Sequence, residues 1–271
     1  MTKFRKLHAH NGIKKRVGND DIYLALLFPV LASLASHLFR LNYISTILVF
    51  CVPFAVWLTA KARGIFLKTA IFSFFVSIPF ITIIEYIAVV DKQWFVPFSV
   101  FPIRVLGVVP IEDLLGGFLH VYSVIAFYEY FFDAHPREII RNKMKYLLVP
   151  LFISLFLVIV LIKIVPSILY IPYAYFWLGV CFLLAPVLIF FSTYPKLFVK
   201  ITKTTLYFFV FLLFFEITGV ALGHWTFPGM EFIGLIRFVG LTIPLEEFAF
   251  FLVVSTYTIL CVYEYFDDDT K

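Results

Sequence analysis

Two stretches of this chain set adjacent acids at the mouth of an apolar run. They read PIEDLLGGFLHVYSVIAFYEYFFD, Pro110 to Asp133, and PLEEFAFFLVVSTYTILCVYEYFDD, Pro244 to Asp268. Each follows another apolar run that carries its own acid, Glu85 in one case and Glu216 in the other. Two carboxyls side by side in low dielectric cannot both ionise easily, and one that keeps its proton is a usable general acid. The pairs also have a plainer explanation. Proline suits the first turn of a helix, and acids there meet the positive end of the helix dipole. Duplication and the intramembrane Glu85 and Glu216 favour chemistry, because ionisable groups in hydrocarbon are costly. The candidate catalytic residues are therefore Glu85, Glu112, Asp113, Glu216, Glu246 and Glu247. Glu129 and Glu264 lie at the other end of the same runs, ~26 Å away at 1.5 Å per residue.

The elements that position these acids are membrane spans. The chain is 62% hydrophobic and only 14% charged, well below the ~25% of soluble domains. Eight runs have the length needed to cross a ~30 Å hydrocarbon core: 21–39, 43–60, 67–89, 110–132, 145–165, 171–192, 202–222 and 242–265. The predicted class is an all-α, polytopic protein of the cell membrane. Residues 1–20 are basic and polar and read as a cytoplasmic arm that can lie on anionic lipid headgroups. The net charge of +5 does not point to nucleic acid, since the basic residues sit between spans, where topology explains them.

The halves correspond. Glu85 and Trp94 recur as Glu216 and Trp225, Pro97 as Pro228, Arg104 approximately as Arg237, Gly107 as Gly240, and Pro110 as Pro244. The offset is 131 for the first pairs and 134 for the last, and Cys51 and Cys181 stand 130 apart. Two parallel four-helix repeats are predicted, 21–133 and 145–268, since an even number of spans makes both enter the membrane the same way. With the N-terminus inside, the cytoplasmic side receives Lys61, Arg63, Lys68, Arg137, Arg141, Lys143, Lys145, Lys196, Lys200, Lys203 and Lys271 besides the arm; only Arg40, Lys92, Arg104, Lys163 and Arg237 fall elsewhere. That bias predicts both termini in the cytoplasm. The connections 90–109 and 223–241 are apolar and aromatic, too short for a span and broken by Pro and Gly. They read as re-entrant or interfacial segments.

Other kits are missing from the sequence. It has neither a phosphate-binding loop nor a G-x-G-x-x-G fingerprint. Cys51, Cys181 and Cys261 stand alone in apolar runs and read as buried hydrophobes. His37, His120 and His224 are scattered, so no metal site is expected, and FDDDTK reads as a solvated acidic tail. No cofactor is expected. The reaction that remains is acid–base isomerisation of a lipid-soluble alkene. Among the 36 Phe, most are filler, though aromatic faces also stabilise cations.

The stretch GHWTFPGMEFIGLIRFVGLTIPLEEFAFF, Gly223 to Phe251, with Tyr263–Glu264 beyond it, resembles the non-flavin lycopene cyclase domain of carotenoid biosynthesis. The resemblance covers roughly 80–133 and 212–268. It departs at PIEDLLGG, where Gly116 and Gly117 stand in place of Phe250 and Phe251, and in having four spans per half rather than about three. It implies cyclisation of the ψ ends of lycopene, or a related carotenoid, to β rings through γ-carotene. An acid protonates C2, the C5=C6 bond attacks the cation at C1, and a base removes the C6 proton. The Glu246/Glu247 pair is then the expected acid, completed by Glu112/Asp113. Glu85 and Glu216 serve as relay or base, and Trp94, Trp225, Phe250 and Phe251 face the substrate. Arg104 and Arg237 pair with carboxylates. Expected partners are the polyene, membrane lipids and other carotenoid-pathway enzymes. Two rivals stand: a proton-coupled transporter, and a carotenoid-binding subunit without activity in which LLGG marks decay. Span interiors poor in Asn, Gln, Lys and Arg favour the lipid substrate over transport.

Overall fold

The computed structural model describes residues 17–62, 64–132 and 144–266. Most of the basic arm, Arg63, Arg137, Arg141, Lys143, Lys271 and the acidic tail lie outside the described residues. Eight helices are long and apolar enough to cross a membrane: α1 Asn19–Leu38, α2 Tyr43–Lys61, α3 Phe66–Val90, α4 Ile111–Phe131, α5 Met144–Ile164, α6 Ala174–Thr193, α7 Pro195–Leu222 and α8 Glu247–Tyr265. The chain is a multi-pass membrane protein of the all-α class. Apolar runs become helices here because hydrocarbon offers the backbone no hydrogen-bond partners, so each segment must satisfy its own. Pro29, Pro53, Pro79 and Pro150 lie inside helices, a habit of membrane helices whose neighbours re-satisfy the freed carbonyls.

Two starts differ from the sequence reading by five residues or more. The seventh span begins at Pro195 rather than near 202, because Lys200 does not cap a loop; it reaches Glu264 at 3.6 Å. The eighth begins at Glu247, because 242–244 belong to a strand.

That strand is part of a feature the sequence did not reveal. Each connection before the paired acids folds into an antiparallel hairpin. β1 (Arg104–Val105) pairs with β2 (Val109–Pro110), and β3 (Leu235–Phe238) pairs with β4 (Leu241–Pro244). The second hairpin turns through Val239 (φ 51°) and Gly240 (φ +78°). Both lie in the left-handed region that two-residue hairpin turns need and that glycine adopts without strain. The two connections also touch. Phe95 and Thr226 exchange backbone hydrogen bonds of 3.0 and 2.9 Å.

Within the membrane, α4 packs on α2 and α3, α1 on α7, and α4 crosses α8. Gly116 and Gly117 explain the close approach of α4. A Cβ on Gly117 would fall 1.7 Å from Ile81 Cδ1, and one on Gly116 would sit against Ile47. Without a hydrophobic drive between helices in lipid, such small-residue contacts supply the packing. In the second half the arrangement is inverted: Phe250 of α8 fills the space over Gly179 of α6, where a Cβ would lie 2.2 Å from its ring. Both helices widen there to π pitch, over Gly179–Leu184 and Glu247–Val254. The centre is aromatic, with Phe127 stacked on Tyr207 at 4.3 Å and Phe208 edge-on to both. By contrast α5 is peripheral, with 6% of its apolar window buried.

Candidate functional site

The adjacent acids have different fates, and the helix turn separates them. Glu112 and Glu246 point back to the connections. Glu112 Oε1 accepts the Phe101 N–H at 2.9 Å, and Glu246 Oε1 accepts the Ile233 N–H in a short bond. Both are buried, at 1% exposure. They act as staples that hold each connection over its helix. One residue on, about 100° round the helix, Asp113 and Glu247 turn inward. Tyr43, at the start of α2, donates to Asp113 in a short bond. Tyr175, at the start of α6, lies against Glu247.

The inward acids meet Glu85 and Glu216. Glu85 is close enough to Asp113, and Glu247 to both Glu85 and Glu216, for their charges to interact. Glu85, Glu216 and Glu247 line one cavity of about 490 Å³ between the two halves, together with Trp94, Trp225 and Phe251. Glu216 accepts the Trp225 indole N–H at 3.0 Å. Trp225 stacks on Trp94 at 5.2 Å, and its ring is received by Gly219, where a Cβ would lie 1.9 Å away. Trp94 lies beside Asp113. One oxygen each of Glu85 and Asp113 has no partner among the described residues. His120, Ser77, Ser154, Ser255 and Thr258 add polar groups to a largely apolar wall, and a second, mostly apolar hollow of about 340 Å³, between α3, α5 and α6, shares Phe80, Ile84, Leu151, Ser154 and Phe182 with it.

The remaining candidates divide. Phe251 is on the cavity wall, whereas Phe250 packs on Gly179 and Phe176. Arg104 donates to the Val108 and Val96 carbonyls, each at 2.9 Å, and stands near Asp113. Arg237 is exposed on β3. Sequence reasoning passed over Tyr43, Tyr175 and His120. The two tyrosines open helices at matching places in the two halves, a signal that was present. His120 lines the cavity with neither ring nitrogen bonded among the described residues. Among the described residues, no three His, Cys, Asp or Glu side chains are arranged to hold a metal ion.

At the opposite end of the same helices, Glu129 and Glu264 form a reciprocal pair of clusters. Tyr263 donates to Glu129 and Tyr128 to Glu264, both in short bonds. Lys68 sits 3.7 Å from Glu129 and over the Tyr263 ring, and Lys200 lies 3.6 Å from Glu264 and over the Tyr128 ring. Outside the spans, two groups are shifted by their surroundings. Burial, helped by the nearby Glu231 charge, raises Asp91 to about 6 although it accepts the Ile171 N–H. Burial, and then His37, lowers the proton affinity of His224.

No protein-family model, curated protein or solved structure matches the chain.

Proposed function

We propose that the chain is a lycopene-cyclase-like isomerase, working without a cofactor on a long apolar polyene. A single observation carries the reading: one cavity, walled mainly by hydrocarbon and indole faces, gathers carboxyls from both halves and adjoins a second, mostly apolar hollow. Span interiors poor in Asn, Gln, Lys and Arg favour a lipid-soluble substrate over a transported polar solute. In this reading Glu247 gives its proton to C2 of the terminal alkene, with Asp113 completing the acid group. Trp94 and Trp225 face the cation at C1 as the C5=C6 bond closes on it, where a ring face stabilises positive charge. Glu85 or Glu216 takes the C6 proton. Charge is conserved and no electrons are transferred. Glu112 and Glu246 hold the connections in place rather than react, and Gly116 and Gly117 serve helix packing rather than mark decay.

The reading includes two parallel four-helix repeats with both termini in the cytoplasm. Its support is the matched chemistry of the halves: two stapling acids, two tyrosine-capped inward acids, and the reciprocal Tyr128–Glu264 and Tyr263–Glu129 pairs. Expression in lycopene-accumulating cells tests the function. Ringed carotenes are expected, with their loss in Glu247→Gln at unchanged protein level. Unchanged pigment with well-folded wild-type protein contradicts it.

A further inference from the structure

Three buried hydroxyls on α3 have no partner. Thr69, Ser73 and Ser77 are at most 1% exposed, yet none of their oxygens finds a hydrogen bond among the described residues. Helical Ser and Thr usually bond to the carbonyl four residues back, as Thr59, Thr82, Thr218 and Thr258 do here. Buried polar atoms left without protein partners are, as a rule, bonded to ordered water.

Their spacing matters. The three stand four residues apart, on one ridge of the helix, with a rise of ~6 Å per step. A water accepting from one hydroxyl and donating to the next spans about that distance, with two bonds of ~2.8 Å each. The file begins beside Lys68, which is buried at the end that holds Glu129 and Tyr263. It ends at Ser77, which lines the same cavity as Glu85. From Thr69 to Glu85 the rise is ~24 Å, most of a ~30 Å hydrocarbon core.

The matching helix of the other half is built differently. On α7, Thr204 and Thr205 are buried without partners at the corresponding end. Phe208, Phe209, Leu212 and Leu213 then fill the turns up to Glu216, and Phe208 is fully buried. Between Tyr207 and Glu216, α7 carries no hydroxyl.

We propose that Thr69, Ser73 and Ser77 hold a file of water that conducts protons along α3, between the Lys68 end of the bundle and Glu85. Its purpose rests on the acid–base reading of the cavity. Cyclisation consumes one proton and releases one, so turnover alone needs no exchange with solvent. The file resets the acids when the released proton stays on the wrong carboxyl. No bond other than O–H is made or broken, and each water passes on one proton as it receives another.

The test needs no polyene, so it stands apart from the fate of the cyclase reading. Protein carrying ¹⁵N-labelled indoles, in lipid nanodiscs, is moved into D₂O, and loss of each Trp N–H signal is followed by NMR. Trp94 and Trp225 line the cavity, whereas Trp57 does not and serves as reference. In the wild type both cavity indoles exchange readily. Ser73→Val, which replaces the hydroxyl with hydrocarbon, slows them by about tenfold or more, while Trp57 is unchanged and Ser73→Thr restores the rate. Ser77→Val gives the same result if Ser73→Val does not fold. Cavity indoles that resist exchange in the wild type, or exchange equally fast in the valine variants, overturn the proposal.

Discussion

Glu246 and Glu247 are neighbours in sequence with opposite duties, and substitution separates them. Glu246 bonds the Ile233 backbone; Glu247 opens on the cavity. Glu246→Gln keeps a carbonyl oxygen that can accept the same N–H, so both stability and turnover should stay near wild type. Glu246→Ala strands that donor, which costs about 1–3 kcal/mol when fully buried. The bond is only partly buried, so the lower part of that range is expected, with some loosening of the β3–β4 connection. Glu247→Gln breaks no staple and should leave thermal stability unchanged. On the proposed mechanism it removes the proton donor, and a positioned acid supplies ~10²–10⁴-fold in rate, or about 3–5 kcal/mol of barrier. The assay is lycopene turnover in nanodiscs beside thermal unfolding of the same preparations. Equal turnover loss in Glu246→Gln and Glu247→Gln, or turnover that simply follows stability across the three variants, refutes the division of labour. The pair Glu112→Gln and Asp113→Asn should repeat the contrast.

Two further outcomes follow from local geometry. Gly219→Ala places a methyl 1.9 Å from the Trp225 ring, which cannot move without losing Glu216 and the Trp94 stack. Overpacking of about 1–3 kcal/mol should appear as a lower unfolding temperature and altered tryptophan fluorescence, and unchanged values for both contradict the packing. Asp91 is raised to about 6, so the folded state holds its proton where the unfolded chain has lost it. Stability from this group is therefore greatest below about pH 4 and falls as pH rises towards 6. Asp91→Asn should flatten unfolding temperature across that window and stabilise relative to wild type above it; an unchanged pH slope contradicts this.

Much of the frame was legible because hydrocarbon imposes simple rules. Eight long apolar runs could only become helices, and the duplicated acids pointed to the carboxyls that the fold gathers around one cavity. What remained hidden depended on partners distant in sequence. Nothing in PLEE says that the first Glu will bind a backbone N–H thirteen residues back while the second turns inward. The hairpins were missed because β1 and β2 have two residues each and β3 and β4 four, too short to show alternation. Lys68 and Lys200 were read only as charges on the cytoplasmic side, since a lysine near a span end normally snorkels to water. Buried carboxylates and tyrosine rings hold them instead. Gly116 and Gly117 looked like a lapse from the second-half pattern until Ile47 and Ile81 filled the space they leave.

The central claim is proton-initiated ring closure at the shared cavity. Purified protein in lipid, given lycopene in D₂O with no flavin or nicotinamide, tests it most directly through the isotope content of the product. The account predicts ringed carotene carrying one deuterium at C2 of each new ring, in the wild type and in Glu246→Gln, with formation suppressed in Glu247→Gln. Rings without solvent-derived deuterium at C2, or no ring formation by folded wild-type protein unless flavin is added, would contradict it.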